Sequence, residues 1–262
     1  MTNLTIYNVH HKVPQWCAHD EVFKPFIVGG ETRGGFLSDD WGDNIRDQHS
    51  FAEMRCHYHV WQNRIDGTQN GDDYVGFQHY RRQFYWDTTA DARLACDIES
   101  FQRVADDTAS TLTASVGPLD LVADIFAAKR IPAPPLIGED YVRTQTQESW
   151  DAFYGSLSAQ ERSIADMCNW INPCNMYIMR VDLFDLYMCD WWRAMSQTQQ
   201  AGISPGQGYQ MRTFGFLSER HFTIWLERLR REKPNLRIIE LPILIGQWQE
   251  PQFDANIHLD SK

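Results

Sequence analysis

The chain has 262 residues, 43% of them hydrophobic and 13% aromatic, with a formal net charge of −11. It can bury a full core as one large domain, and its negative balance disfavours a nucleic-acid carrier, which needs a positive face to release counterions. No run approaches the roughly 18 apolar residues of a membrane span, and the Met1 to Tyr7 start lacks the charged and apolar regions of a signal peptide, so a cytoplasmic location is expected.

Six cysteines, Cys17, Cys56, Cys96, Cys168, Cys174 and Cys189, form no Cys-x-x-Cys pair. They are expected as reduced thiols rather than as zinc ligands or a disulfide framework. Ten Trp and ten Tyr suit surfaces that stack on sugar rings or bases, and equally suit an aromatic core.

Along the chain, Leu4 to Val9 is β-rich and ends at His10-His11-Lys12, predicting a first strand with polar groups at its tip. Phe26-Ile27-Val28, before Gly29-Gly30, repeats that pattern. Residues 31 to 47 are rich in glycine and acids without an apolar period, predicting an irregular loop. Between Ser50 and Asn63, Phe51, Met54, Tyr58 and Trp61 share a helical face, with Ser50 as N-cap and Glu53 at the third helical position. Tyr74 to Gln78 reads as a strand, Asp97 to Ala109 as a helix, and Leu119 to Ala123 as a further strand. Such alternation favours a sheet layered between helices.

The Pro-rich connector Ile131 to Pro135 breaks regular structure and marks a boundary between donor and acceptor subregions within one domain, residues 1–250, followed by a tail at 251–262. Helices are predicted at Glu148 to Phe153, Ser158 to Cys168 and Asp182 to Met195, with a strand at Met176 to Arg180 and a loop at Gly202 to Gly208. Ser218 caps a predicted helix through Phe222, Trp225, Leu226 and Leu229, and Leu236 to Leu241 closes as a strand. No internal repeat is present.

Chemistry concentrates where the run Tyr74 to Gln78 empties into His79-Tyr80-Arg81-Arg82. Arginine offers planar, permanently charged donors suited to phosphate oxygens, and open α/β sheets bind ligands outside the carboxyl ends of their strands. A diphosphate suits such a corner; pairing with some of the 35 acidic residues is the alternative. His11 and Lys12, at the first strand tip, are either nucleotide-region contacts or solvated surface groups. Glu219 lies between Arg212 and Arg220: it is either a capping acid complementing a helix dipole or an ionised, oriented general base. Asn175, in the amide-rich turn Asn172-Pro173-Cys174-Asn175, either caps the turn or donates to a sugar hydroxyl.

No Asp-x-Asp follows a recognisable strand, and Asp39-Asp40 and Asp106-Asp107 sit in poor contexts for a metal-diphosphate clamp. P-loop, dinucleotide and nucleophile-elbow signatures are absent. No cofactor or divalent metal is therefore expected.

Taken in order, several strings resemble a bacterial family of capsular, exopolysaccharide and O-antigen glycosyltransferases that includes galactofuranosyltransferases. They are Tyr7 to Lys12, Gly42-Asp43-Asn44-Ile45, Glu53 with Tyr58, Trp61 and Asn63, Asp73 to Phe84, Leu119 to Val122, Asn175 to Met179 and Arg212 to Arg220. The resemblance spans roughly residues 4 to 245. It departs at Met54-Arg55-Cys56-His57 and at His59, which leaves the donor base and acceptor open.

The resemblance implies an α/β fold, a GT-A-like single sheet flanked by helices, in a variant lacking Asp-x-Asp. It implies an inverting, metal-independent transfer of a sugar, for instance galactofuranose from its uridine diphosphate (UDP) donor, to a lipid-linked glycan. In that scheme Glu219 is the base and His79, Arg81 and Arg82 hold the diphosphate. His11, Lys12 and Asn44 line the nucleotide region, while Asn175, Arg212 and Arg220 orient sugar or acceptor. The Arg228 to Arg237 region is read first as a solvated helix face, with peripheral membrane contact as the alternative. The rival from another class is a non-catalytic glycan- or nucleotide-binding module; a phosphate-ester hydrolase ranks below both, for want of a nucleophile or metal cluster.

Overall fold

The computed structural model describes residues 4–247 except 15, 33, 64–72, 115–122, 134–144 and 205. The first strand, β1 (Leu4–His10), sends Tyr7 and Val9 into one apolar layer and Leu4 and Ile6 into the other, because successive strand side chains point to opposite faces. β2 (Phe23–Ile27) lies parallel to β1, and the short β3 (Leu37–Ser38) parallel to β2. After a 3-10 turn at His49–Phe51 and the helix α1 (Met54–Asn63), β4 (Tyr74–His79) returns parallel to β1 on its other side, with Val9 opposite His79. A tight turn at Tyr80-Arg81 leads into β5 (Arg82–Phe84), which places Arg82 opposite His79.

β6 (Arg93–Cys96) and α2 (Ile98–Ala114) precede β7 (Ile125–Ala128), and β8 (Ile131–Pro132) pairs separately with β9 (Trp170–Ile171). Between them, α3 (Gln147–Ser156) and α4 (Ala159–Met167) each start with a full capping box, on Thr146 and Ser158. Each side-chain cap satisfies amides that the first helical turn leaves without partners. β10 (Tyr177–Arg180) runs antiparallel between β4 and β7. α5 (Val181–Gln200) and α6 (Thr213–Glu232) follow, then β11 (Ile238–Leu241) beside β7, and β12 (Ile243–Gly246), antiparallel to β5 and parallel to β6. The central order is β3-β2-β1-β4-β10-β7-β11. This is the expected α/β sheet flanked by helices.

One face of that sheet carries the larger core. Phe77 is fully buried and meets Tyr7, His57, Tyr177 and Phe184, the His57 ring stacking on it at 3.8 Å. On the opposite face, Gly76 lets β1 and β10 close over β4: a Cβ there would sit 2.7 Å from Ile178 Cγ1 and 3.1 Å from Ile6 Cγ1. Overpacking a close-packed core forces neighbours off their rotamers. Gly76→Val is expected to destabilise the protein by about 1–3 kcal/mol in urea unfolding.

Several boundaries differ from the sequence reading. The helix expected from Ser50 begins at Met54, because Ala52 takes a left-handed φ of 51° after the 3-10 turn. Glu53 therefore leaves its capping position and points into the site described below. α6 begins at Thr213, so Ser218 is an interior residue: its hydroxyl donates to Phe214 O at 2.6 Å and accepts from Trp191 Nε1 at 2.7 Å. The strand expected at Leu119 to Ala123 lies outside the described residues up to 122, and the observed strand starts at Ile125. Part of the Pro-rich connector pairs as β8, and residues 134 and 135 lie outside the described residues. β5, β6 and β12 have no counterpart in the sequence reading.

Candidate active site

β1 and β4 are parallel neighbours, so their carboxyl ends and the residues just beyond them share one edge of the sheet. There a cavity of about 310 Å³ is lined by His11, His79, Tyr80, Arg81, Arg82 and Arg212, closed by Ile245, Gly246 and Gln247 from β12 and its exit. Three arginines around one cavity give it a permanently positive lining, since guanidinium does not lose its proton in proteins. Arg81 lies over the Tyr80 ring, 4.9 Å from its centroid, and donates to the Tyr80 hydroxyl at 3.0 Å.

His79 is buried and fixed from both sides. Its Nε2 donates to Cys174 O at 2.6 Å, which leaves Nδ1 as the acceptor facing Arg82 NH1 at 3.4 Å. Burial lowers its pKa to about 4, with Arg82 adding to the effect and Glu53 opposing it. His79 is thus a neutral orienting group at physiological pH, and the charge at this corner belongs to the arginines.

Behind the cavity stands a turn in an unusual conformation. Cys174 and Asn175 both adopt left-handed φ, 74° and 49°, a region that Asn tolerates and other L-residues avoid. Such backbone costs of order 1–3 kcal/mol and persists only where the surroundings over-determine it. Here the turn holds three site residues at once. The Cys174 carbonyl takes the His79 hydrogen bond, the Cys174 backbone hydrogen-bonds Glu219, and Asn175 Nδ2 donates to Glu53 Oε1 at 2.7 Å and to Gly215 O at 3.0 Å.

Glu53 and Glu219 differ sharply in proton affinity. Glu53 is buried and accepts from Arg212 NH2 at 3.0 Å on its other oxygen. Burial pushes its pKa up, but His79, Arg212 and the Asn175 amide outweigh burial and bring it down to about 2. Glu219 is raised to about 7, first by burial and then by the neighbouring Glu53 charge, against the pull of Arg220 and Arg82. Two carboxylates driven apart in this way are the usual basis for distinct acid–base roles in one site. Glu219 sits in the second turn of α6 rather than the first, so the capping explanation lapses. The expectation that it stays fully ionised between Arg212 and Arg220 is also corrected: Arg212 pairs with Glu53, and burial brings Glu219 close to half-protonation at neutral pH.

A family model described as a domain of unknown function, DUF4422, matches residues 5–231. The chain belongs to this DUF4422 family. No curated protein matches it. Among solved structures, the apo structure of the WbbM bifunctional glycosyltransferase is similar, with a TM-score of 0.72 and 24% identity over 97% of this chain and 48% of that one. The DUF4422 chain thus spans about half the length of that protein. The likeness shows a shared fold, the GT-A-like sheet flanked by helices.

The other residues singled out in the DUF4422 sequence fall into two groups. His11 and Arg212 line the cavity with His79, Arg81 and Arg82, while Asn175 acts one layer behind it, through Glu53. Lys12 is exposed just beyond β1 and is not part of the cavity lining. Asn44 is exposed and donates to Gly42 O at 2.9 Å, in a turn that Asn63 clamps through Asp43. The turn has its own requirement for this string: at Gly42, with φ of 58°, a Cβ would lie 2.1 Å from Asn63 Oδ1. Arg220 is buried at 1% exposure and donates to Phe216 O at 2.8 Å, so it reaches the site through its field on Glu219.

The sequence reading missed Glu53 as a site residue. Its signal, the Ser50 to Glu53 spacing, fits a capping box equally well, and only the left-handed Ala52 separates the two. Met54, Arg55, Cys56, His57 and His59, which raised the question of donor or acceptor choice, are buried in α1; His57 bonds Tyr177 OH through Nδ1 at 2.7 Å, and Arg55 donates to Ala52 O and Arg46 O. They serve packing.

Among the described residues, no group of three or more His, Cys, Asp or Glu side chains is arranged to hold a metal ion. No described helix is long and apolar enough to cross a membrane. In the Arg228 to Arg237 region, Arg228 is engaged by Glu161 and Asp190, Arg230 by Glu227 and Glu240, and Arg237 by Asp124. These ion pairs favour the solvated, internally balanced face over a basic membrane patch. The six cysteines are unpaired by disulfides.

Proposed function

We propose that this chain is a glycosyltransferase domain that moves a sugar from a nucleoside diphosphate donor to a glycan hydroxyl, by inverting displacement and without a divalent ion. The observation that carries the reading is the arginine-lined cavity at the ends of β1 and β4; Glu219 does not line it but interacts electrostatically with Arg82, which does, and its pKa of about 7 suits a general base at neutral pH. Arg81 and Arg82 face the diphosphate and stabilise the charge that develops on it as the glycosidic bond breaks. Glu219 takes the acceptor hydroxyl proton, and Arg212, anchored on Glu53, orients the sugar. The earlier likeness to exopolysaccharide and O-antigen enzymes supports a UDP donor, a galactofuranosyl unit and a lipid-linked acceptor, used at the cytoplasmic face of a membrane by one domain covering residues 1–250. The shared fold with a bifunctional glycosyltransferase is consistent with this chemistry.

The test incubates the protein with UDP-sugars and glycan acceptors in excess chelator. Glycosylated product without added metal is expected. UDP binding without turnover, even after Mg²⁺ and Mn²⁺ are restored, would instead assign a binding module.

A further inference from the structure

The chain places a second cavity against the first, and its lining has different chemistry. It measures about 360 Å³ and is lined by Gln48, His49, Ser50, Gln199, Met211 and Phe214, together with Asp47 and Ile203. No lysine or arginine lines it, so it lacks the permanent positive charge that the first cavity carries. Its lining combines the apolar Ile203, Met211 and Phe214 with planar amides, a hydroxyl and the side chains of Asp47 and His49, with Gln199 Nε2 donating to Gln48 Oε1 at 2.6 Å. A sugar ring has the matching pattern of a C–H face bordered by hydroxyl groups, and binding sites of this kind combine apolar walls with a few placed polar groups.

One turn separates the two cavities. Gly208–Arg212 is a 3-10 segment whose consecutive side chains diverge: Arg212 lines the first cavity and Met211 the second. The opposite part of the wall is the Ser50 to Glu53 segment, whose ends likewise differ, Ser50 lining the second cavity and Glu53 binding Arg212. On the crest, Tyr209 is 60% exposed and Met211 55%, two of the largest apolar exposures on the described surface. Tyr209 is nonetheless held in place: its ring lies 5.0 Å from that of Phe216, which also underlies the Arg212 guanidinium at 5.6 Å. An exposed aromatic braced from below offers a stacking face at little cost in rotamer freedom.

We propose that the 208–212 turn is a carbohydrate-binding ridge, across which the acceptor glycan runs from Arg212 over Tyr209 into the cavity lined by Met211 and Phe214. The inference rests on the transferase reading and adds to it the path of the acceptor. The ridge selects neutral oligosaccharides of two or more units, since a single unit at Arg212 cannot also reach the second cavity.

The test measures retention of the wild-type chain, Tyr209→Ala and Met211→Glu on an array of immobilised bacterial polysaccharide fragments of one to six sugars, with UDP affinity measured in parallel by calorimetry. Both side chains are exposed, and unchanged thermal melting verifies the fold of each variant. Wild type is expected to retain fragments of two or more units, and each substitution to weaken that retention at least tenfold while UDP affinity stays within twofold. Equal retention by wild type and both variants would overturn the ridge, as would retention of no fragment by wild type. Failure of wild type to bind UDP would count against the donor reading alone, and glycan retention sensitive to Tyr209 and Met211 would then still uphold the ridge.

Discussion

Glu219→Gln is expected to lower kcat for sugar transfer by about 10²- to 10⁴-fold, the range attributed to a positioned general base, with little change in UDP affinity. In the wild-type protein, kcat/KM for the proposed transfer should rise with pH through about 7, where Glu219 loses its proton, and then level off. Neither partner interferes with that limb, because Glu53 titrates near 2 and His79 near 4. The stability effect has the opposite sign to the activity effect. A carboxyl whose folded pKa exceeds its ordinary 4.5 holds its proton more tightly in the folded state, so its contribution is undiminished below pH 4.5, is lost as pH rises toward 7, and stays lost above. That displacement corresponds to at most roughly 3 kcal/mol. Glu219→Gln should therefore melt at a higher temperature than wild type at pH 8 and at a similar one at pH 4. A loss of transfer without the gain at pH 8 would contradict the burial-driven account.

Arg82→Ala is expected to reduce kcat/KM by about 10²- to 10³-fold, the scale for removing one preorganised charge-stabilising donor, and also to move the acid limb. Arg82 holds the Glu219 pKa down, so its removal should shift the limb above 7. Arg82→Lys separates the two effects: an ammonium keeps the limb near its wild-type position while losing the planar fork that suits phosphate. Arg81→Ala should lose transfer with the limb unmoved, since Arg81 is not among the principal charges acting on Glu219. Identical pH profiles for wild type and Arg82→Ala would show that the two groups do not communicate.

The fold was legible where one strand or helix carries its own periodicity. β1, β4 and β10 follow from their β-rich, apolar composition, and α4 from the helical pattern after Ser158. β5 and β12 were not legible, because each is short and pairs with the other across about 160 residues of sequence, as in Gln83 opposite Leu244. Ser218 misled for a related reason. Its hydroxyl has the chemistry of a cap, but Trp191, a residue on another helix, engages it. The arginine lining of the cavity was legible, since His79-Tyr80-Arg81-Arg82 is one contiguous run that ends a strand. The acid pair was not, because Glu53, Asn175 and Glu219 converge only through two left-handed residues at 174 and 175, a conformation that side-chain identity does not announce.

Strand β12 bears on the order in which the molecule matures. Gly246 N donates to Arg81 O at 2.9 Å and Gln247 N to Cys96 O at 2.8 Å, and both residues wall the arginine cavity. The loop carrying Arg81 is synthesised more than 160 residues before its staple, and contacts this distant in sequence form late. While the ribosome is still working on the β-strands and helices in between, the emerging polypeptide has its guanidinium groups but no enclosed pocket for them.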